Sequence, residues 1–323
     1  MKINWRAFSM ALVFAAAAGA AAAQTYPAKP VRLVVPFAPG GTLDMTTRIL
    51  ADQLRASGYT PLVDNRAGAD GVIGSELVAR SAPDGYTVLM SAITIQVIQF
   101  ALYEKLPYDL MNDFVPVSLF VQIPLLLVTH KSLPVKTVKE LIALAKSRPG
   151  ELLYSSSGTG SSIHLAGVLF DRTTGTKTVH VAYKGGGPAT IGLVVGEVQY
   201  SFMPLALVRQ HAESGRLRAI AVASLKRDPN LPDIPTVSES GVKGFEADSW
   251  YGMMLPAKTP REIVAKLNID VVKAIASPAV TKKLAEQSIV PRSSTPEEFA
   301  DYIRRDARKY SKLVKESGIK LER

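Results

Sequence analysis

Ser161 and His164 stand three residues apart, where the turn Ser155-Ser156-Ser157-Gly158-Thr159-Gly160 runs into the helical pattern of Ile163, Leu165, Val168 and Leu169. A serine within reach of a histidine can act as nucleophile and base, so a secreted hydrolase is one reading of this pair. It lacks a G-x-S-x-G elbow and an evident orienting acid. The same residues also read as a helix start, with Ser161 capping and His164 supporting the turn. A helix start has its own chemistry, because free backbone N–H groups and the helix dipole attract an anion. Pro39-Gly40-Gly41-Thr42-Leu43-Asp44 is a second such turn, and Tyr183-Lys184-Gly185-Gly186-Gly187-Pro188, leading to Ala189, is a third. None completes a phosphate-loop or dinucleotide pattern. Asp44 in a first helical turn is worth about 0.3–1 kcal/mol through the dipole without touching a ligand. Lys184 reads as a surface cation first and a carboxylate partner second. His130, His164, His180 and His211 have no metal-ligand spacing, and the chain has no cysteine, so neither a metal, a thiol catalyst nor a cofactor is expected.

These turns need strands and helices to hold them. Val31 to Phe37 is β-branched and apolar, a strand buried on both faces, and Thr42 is expected to cap the helix that follows. Pro61 to Arg66 is a second strand, Ala67 to Gly71 a glycine turn, and Val72, Ile73, Leu77 and Val78 mark a helix. Asp84-Gly85 turns the chain into the strand Tyr86 to Met90. Alternating strand and helix predicts a parallel sheet whose loops gather along one edge, where Ser91 to Thr94 would join the site. A long apolar strand is expected from Val117 to Thr129, after which the pattern restarts with a helix capped by Thr137. Leu152 to Ser155, Thr178 to Ala182, Tyr200 to Met203 and Leu217 to Ser224 are the later strands. Phe245 to Leu255 is extended, and the C-terminal helices, one opening at Thr295-Pro296 with two acids in its first turn, should cover the first sheet.

Composition bounds the setting. Lys2 and Arg6, the apolar run Met10 to Ala23 and the ending Ala21-Ala22-Ala23 read as a signal peptide over residues 1–23, cleaved to leave Gln24 first. Export from the cytoplasm follows. Losing Lys2 and Arg6 takes the formal charge from +10 to +8, and the basic residues are scattered among acids. That distribution mildly favours anionic small molecules and does not resemble a nucleic-acid groove. The remaining length exceeds what one core usually holds, so two lobes are expected.

PAKPVRLVVPFAPGGTLD, PDGYTVLM, YEKLPYD with DFVPVS, SSSGTGSSIHLAG, VAYKGGGPA and SWYGMMLPAKTP occur in that order along the chain. Together they resemble the Bug family, the periplasmic substrate-binding proteins of tripartite tricarboxylate transporters. The resemblance implies an α/β, type II periplasmic-binding-protein fold with two lobes joined by two hinge strands. Lobe one would be 24–128 plus 239–323 and lobe two 129–238, with hinges near Thr129 and Ser224 to Pro235. It implies a monomer that captures a small carboxylate and hands it to membrane transporter subunits, not an enzyme. By position, Phe37, Gly40, Gly41 and Asp44 would serve from lobe one, where the strand pattern adds Ser91, and Ser157, Gly158, Ser161, His164, Lys184, Gly185 and Ala189 from lobe two. A β-carbon at Gly41 or Gly158 is expected to block the ligand and meet a positive φ. The family's Thr-x-x-x-Asn-Pro-like segment is replaced here by Ile93-Thr94-Ile95-Gln96 and Gln99-Phe100, and its Ala-Pro-Ala-Gly-Thr-Pro by Leu255-Pro256-Ala257-Lys258-Thr259-Pro260. Ile93 and Ile95 would suit a less polar ligand.

Overall fold

A computed structural model of the chain describes residues 26–103, 105–228 and 231–319. The expected signal peptide and its cleavage site lie outside the described residues. The elements run β1 (Val31–Val35), α1 (Thr42–Arg55), β2 (Pro61–Asn65), α2 (Val72–Ala79), β3 (Thr87–Ala92), α3 (Gln99–Leu102), β4 (Phe114–Ile123) and β5 (Leu125–His130). They continue as α4 (Val138–Ser147), β6 (Leu153–Ser156), α5 (Ser162–Thr174), β7 (Val179–Ala182), α6 (Gly186–Val195), β8 (Tyr200–Pro204), α7 (Leu205–Glu213) and β9 (Leu217–Val222). Last come β10 (Ser249–Pro256), α8 (Arg261–Ile275), α9 (Pro278–Glu286), β11 (Val290–Pro291) and α10 (Pro296–Ser317).

Two sheets result, ordered β11-β4-β10-β3-β1-β2 and β7-β6-β8-β5-β9. Apart from the edge strand β11 they repeat one plan. Three parallel strands with helical crossovers stand beside an antiparallel strand that has just arrived from the other sheet, β10 in the first and β5 in the second. Continuous apolar strands suit this burial on two faces. Leu125 and Leu127 pack on one side of the second sheet with Phe170, Tyr200, Phe202 and Phe245, while Leu126 and Val128 pack on the other with Leu193, Met203 and Val208. The first sheet is covered by α8 and α9 on one face, through Leu267, Val271 and Leu284, and by α10 on the other, where Phe299 and Tyr302 meet Trp250 edge-on. Covering of the first sheet by the C-terminal helices is as expected.

The crossings between sheets differ from expectation. The apolar run Val117 to Thr129 is two strands, because Pro124 has no N–H to give a ladder; Ile123 still pairs in the first sheet, and Leu125 already pairs in the second. The chain returns later than Pro235. Val237, Val242, Phe245 and Ala247 belong to the second sheet's core, and Ser249 opens the strand that pairs with β4. Asp248 ties the two crossings together, accepting hydrogen bonds from Ser224 Oγ at 2.8 Å and from the Gln122 side-chain amide. Its burial pushes the carboxyl up to about 6, against the pull of those two hydrogen bonds.

Candidate functional site

A cleft of about 430 Å³ opens between the carboxyl ends of β1 and β3 in one sheet and of β6 in the other. Each sheet contributes a helix N-terminus. Gly41 rather than Thr42 is the residue before α1, and no side chain caps that helix, so the first-turn N–H groups of Thr42 and Leu43 have no acceptor among the described residues. Both residues line the cleft. Facing them is the turn Ser157 to Ser161 with Ser162, the first residue of α5. Hydroxyls of Thr42, Thr94, Ser157, Thr159, Ser162 and Ser249 belong to the lining residues, and none of these is a lysine, arginine or histidine. Phe37, Leu43, Ile98, Leu102 and Tyr251 supply an apolar wall. Burial pushes the Tyr251 phenol up to about 12, with the Thr42 side chain drawing it down.

Of the residues expected at the site, Phe37, Gly41, Asp44, Ser157, Gly158 and Ser161 line the cleft. Asp44 is fully engaged there. It accepts the Gly40 N–H at 2.9 Å and Asn65 Nδ2 at 3.1 Å, and it forms an ion pair with Arg48 at 3.0 Å. Burial alone would raise its carboxyl, but the bonds from Arg48, Gly40 and Asn65 hold it below the ordinary range, so Asp44 braces the glycine turn. Ser161 Oγ accepts the His164 N–H at 3.2 Å as a helix cap.

The others lie outside the lining. His164 is 4% exposed and turns inward: its Nδ1 accepts the Gly160 N–H at 3.0 Å, and its ring stacks on His180 at 3.8 Å. His180 in turn bonds Ser156 Oγ at 2.6 Å, and that oxygen accepts the Gly158 N–H. The stacked pair therefore fastens the turn from behind. Burial and the neighbouring His180 push the His164 imidazole down to about 3, and burial pushes His180 down to about 4, so both are neutral supports. The nucleophile-and-base geometry considered for Ser161 and His164 is not made. Lys184 is exposed, and Ala189 is buried in the apolar cluster with Leu193 and Met203. Gly185 donates to the Ser157 carbonyl at 3.2 Å, so it shapes the turn from outside the cleft. Gly40 gives its N–H to Asp44, and Ser91 is wholly buried on β3. Ile93 and Ile95 are wholly buried too, so the apolar wall falls to Ile98 and Leu102 one helical turn later.

The two glycines are not equivalent. Gly158 has φ +133°, which side chains rarely adopt, whereas Gly41 has φ −73° and a β-carbon there would meet only the Ala38 carbonyl at 3.7 Å. The expected backbone clash thus holds for Gly158 and fails for Gly41. Thr94 lines the cleft as the strand pattern leads one to expect, whereas Thr42, Asp70, Gln99, Tyr103, Ser249 and Tyr251 are lining residues that the sequence reading does not pick out. The β3 loop was marked only as far as Thr94, and nothing local marks Ser249 or Tyr251, which reach the cleft because β10 crosses back.

Residues 46–319 match the family described as "Tripartite tricarboxylate transporter family receptor". The chain belongs to this receptor family. This receptor is 39% identical to Protein BugT of Bordetella pertussis over 96% of the present chain and 97% of BugT. Among solved structures it is similar to R. palustris Rpa4515 with adipate, at 36% identity and TM-score 0.79 over 91% of this chain and 99% of that one. It is also similar to MatC from Rhodopseudomonas palustris with bound malate, at 32% identity and TM-score 0.74 over 90% and 100% of the two chains. The two-lobed periplasmic-binding fold expected from the motifs is borne out. Among the described residues no helix is long and apolar enough to cross a membrane.

Proposed function

We propose that this receptor captures a small carboxylate in the cleft between its sheets and hands it to the membrane subunits of a tripartite tricarboxylate transporter. It is exported through a signal peptide cleaved after Ala23 and works in the periplasm as a monomer, without enzymatic activity. Phe37, Gly41, Ser157, Gly158 and Ser161, with Thr42, Thr94 and Ser162, form the binding surface; Gly40, Asp44, His164 and Gly185 shape it.

One observation carries the reading. Two helix N-termini from different lobes open on one cleft whose lining holds no basic side chain. Each charge-assisted amide bond to a buried anion is worth about 1.5–3 kcal/mol, and each helix end up to about 2 kcal/mol more. Backbone groups alone can therefore reach micromolar affinity, about 8 kcal/mol. Closure of the lobes about the Pro124 and Asp248 crossings would bring the two ends onto one ligand. The similar R. palustris structures with adipate and malate are in accord with an acid of this size.

The test is calorimetry on the full chain with mono-, di- and tricarboxylates, each paired with its neutral amide. At least one acid should bind with a micromolar Kd and its amide should not. Indifference to every acid, or equal binding of the amides, refutes the reading. Turnover of an ester panel would instead revive the hydrolase.

A further inference from the structure

Asp44 and Asp70 are the charged residues lining the cleft, and their situations are opposite. Asp44 is neutralised by Arg48, Asn65 and the Gly40 N–H. Asp70 has no cationic partner among the described residues; its Oδ2 accepts only the Tyr103 hydroxyl at 3.1 Å. The residue is nonetheless held firmly in place. It sits in a left-handed turn, with φ 54°, between Ala69 at φ 46° and Gly71 at φ +99°. Its carbonyl accepts a hydrogen bond from the side-chain amide of Gln99, which is 4% exposed. Tyr103 and Gln99 line the same cleft.

A carboxylate therefore shares one small cleft with two anion-attracting helix ends. The geometry points to a specificity rule: the cleft accepts a monocarboxylate whose other end carries a hydrogen-bond donor, an ammonium above all, and Asp70 disfavours a second carboxylate. This rests on the carboxylate-binding reading above. Amides of Thr42, Leu43, Ser157, Thr159 and Ser162, which the turn's own hydrogen bonds leave free, hold the acid, Phe37, Ile98 and Leu102 flank an apolar stem, and Asp70 receives the donor. Asp70 is exposed in this structure, and two like charges brought together repel more strongly as closure of the cleft excludes water from between them. An ammonium at the same place is attracted for the same reason.

Aspartate tolerates a left-handed backbone, so its presence here has a purely conformational explanation as well. Asparagine tolerates it equally, and glycine better, so Asp70→Asn and Asp70→Gly remove the charge and keep the turn. Calorimetry compares chain-matched acids on the full chain and both variants: adipate, ε-aminocaproate and caproate, and the shorter set succinate, γ-aminobutyrate and butyrate. In the wild type the amino acid of a set should bind at least about tenfold tighter than its dicarboxylate, and both variants should erase or invert that ratio. Dicarboxylates bound as tightly as amino acids by the wild type, or a ratio unmoved by both variants, would overturn the rule while leaving carboxylate binding intact. If no acid of any kind binds, the broader reading falls and takes this one with it.

Discussion

Acidification should loosen this receptor through the stacked imidazoles of His164 and His180. Burial, and for His164 the neighbouring ring, push their pKa values from the usual 6.5 down to about 3 and about 4. Below pH 6.5 the unfolded chain takes up protons that the folded pair refuses, so stability present near neutral pH is lost as pH falls toward the folded values. At about 1.4 kcal/mol per pH unit for each ring, lowering the pH from 6.5 to 5 removes about 4 kcal/mol for the pair. Asp248 works in the opposite direction. Its folded carboxyl, pushed up to about 6 by burial, keeps a proton that the unfolded chain releases. Between pH 6 and 5 this returns about 1 kcal/mol, leaving a net loss of about 3 kcal/mol. The perturbation that isolates the pair is His164→Asn with His180→Gln, which keeps an acceptor for the Gly160 N–H and a partner for Ser156. Denaturant melts across this pH range should show the wild type weakening by about 3 kcal/mol and the double variant holding steady or gaining about 1 kcal/mol. Parallel losses in the two proteins would refute the assignment of acid sensitivity to these rings.

Two further outcomes follow from the cleft. Gly158→Ala forces a β-carbon onto φ +133° and should weaken binding by about tenfold at a backbone cost of about 1–2 kcal/mol, whereas Gly41→Ala, at an ordinary φ, should leave the melting temperature unchanged. Calorimetry and thermal melts on both decide this, and equal effects of the two substitutions would contradict it. Lys184→Ala removes an exposed cation outside the cleft lining, so affinity should change by less than about tenfold, or 1.4 kcal/mol; a larger loss would place a side-chain cation in the binding reaction.

Features governed by neighbours along the chain were legible without the fold. Thr137 and Thr295 cap their helices, each with a glutamate three residues on that completes a capping box. The glycine and serine turns at Gly40 and Ser157 lead from strand to helix as their composition requires. Motif order also carried the family. Lys184 and His164 stand as their residue types suggest, a surface cation and a support behind the turn, and outside the cleft lining where the family resemblance would put them.

What the amino-acid sequence by itself determined is the alternation of strand and helix, the turns between them, and two anion-attracting helix starts. All of these depend on side-chain periodicity and local backbone geometry, which are written in consecutive residues. Tertiary structure decided which sheet each apolar strand joins, since a strand buried on both faces reads alike in either sheet. It thereby decided that β5 and β10 exchange between lobes, that the crossings fall at Pro124 and Asp248, and that Ser249 and Tyr251 reach the cleft. It also decided which of two aspartates keeps an uncompensated charge, because Arg48 and Asn65 reach Asp44 and no cation among the described residues reaches Asp70.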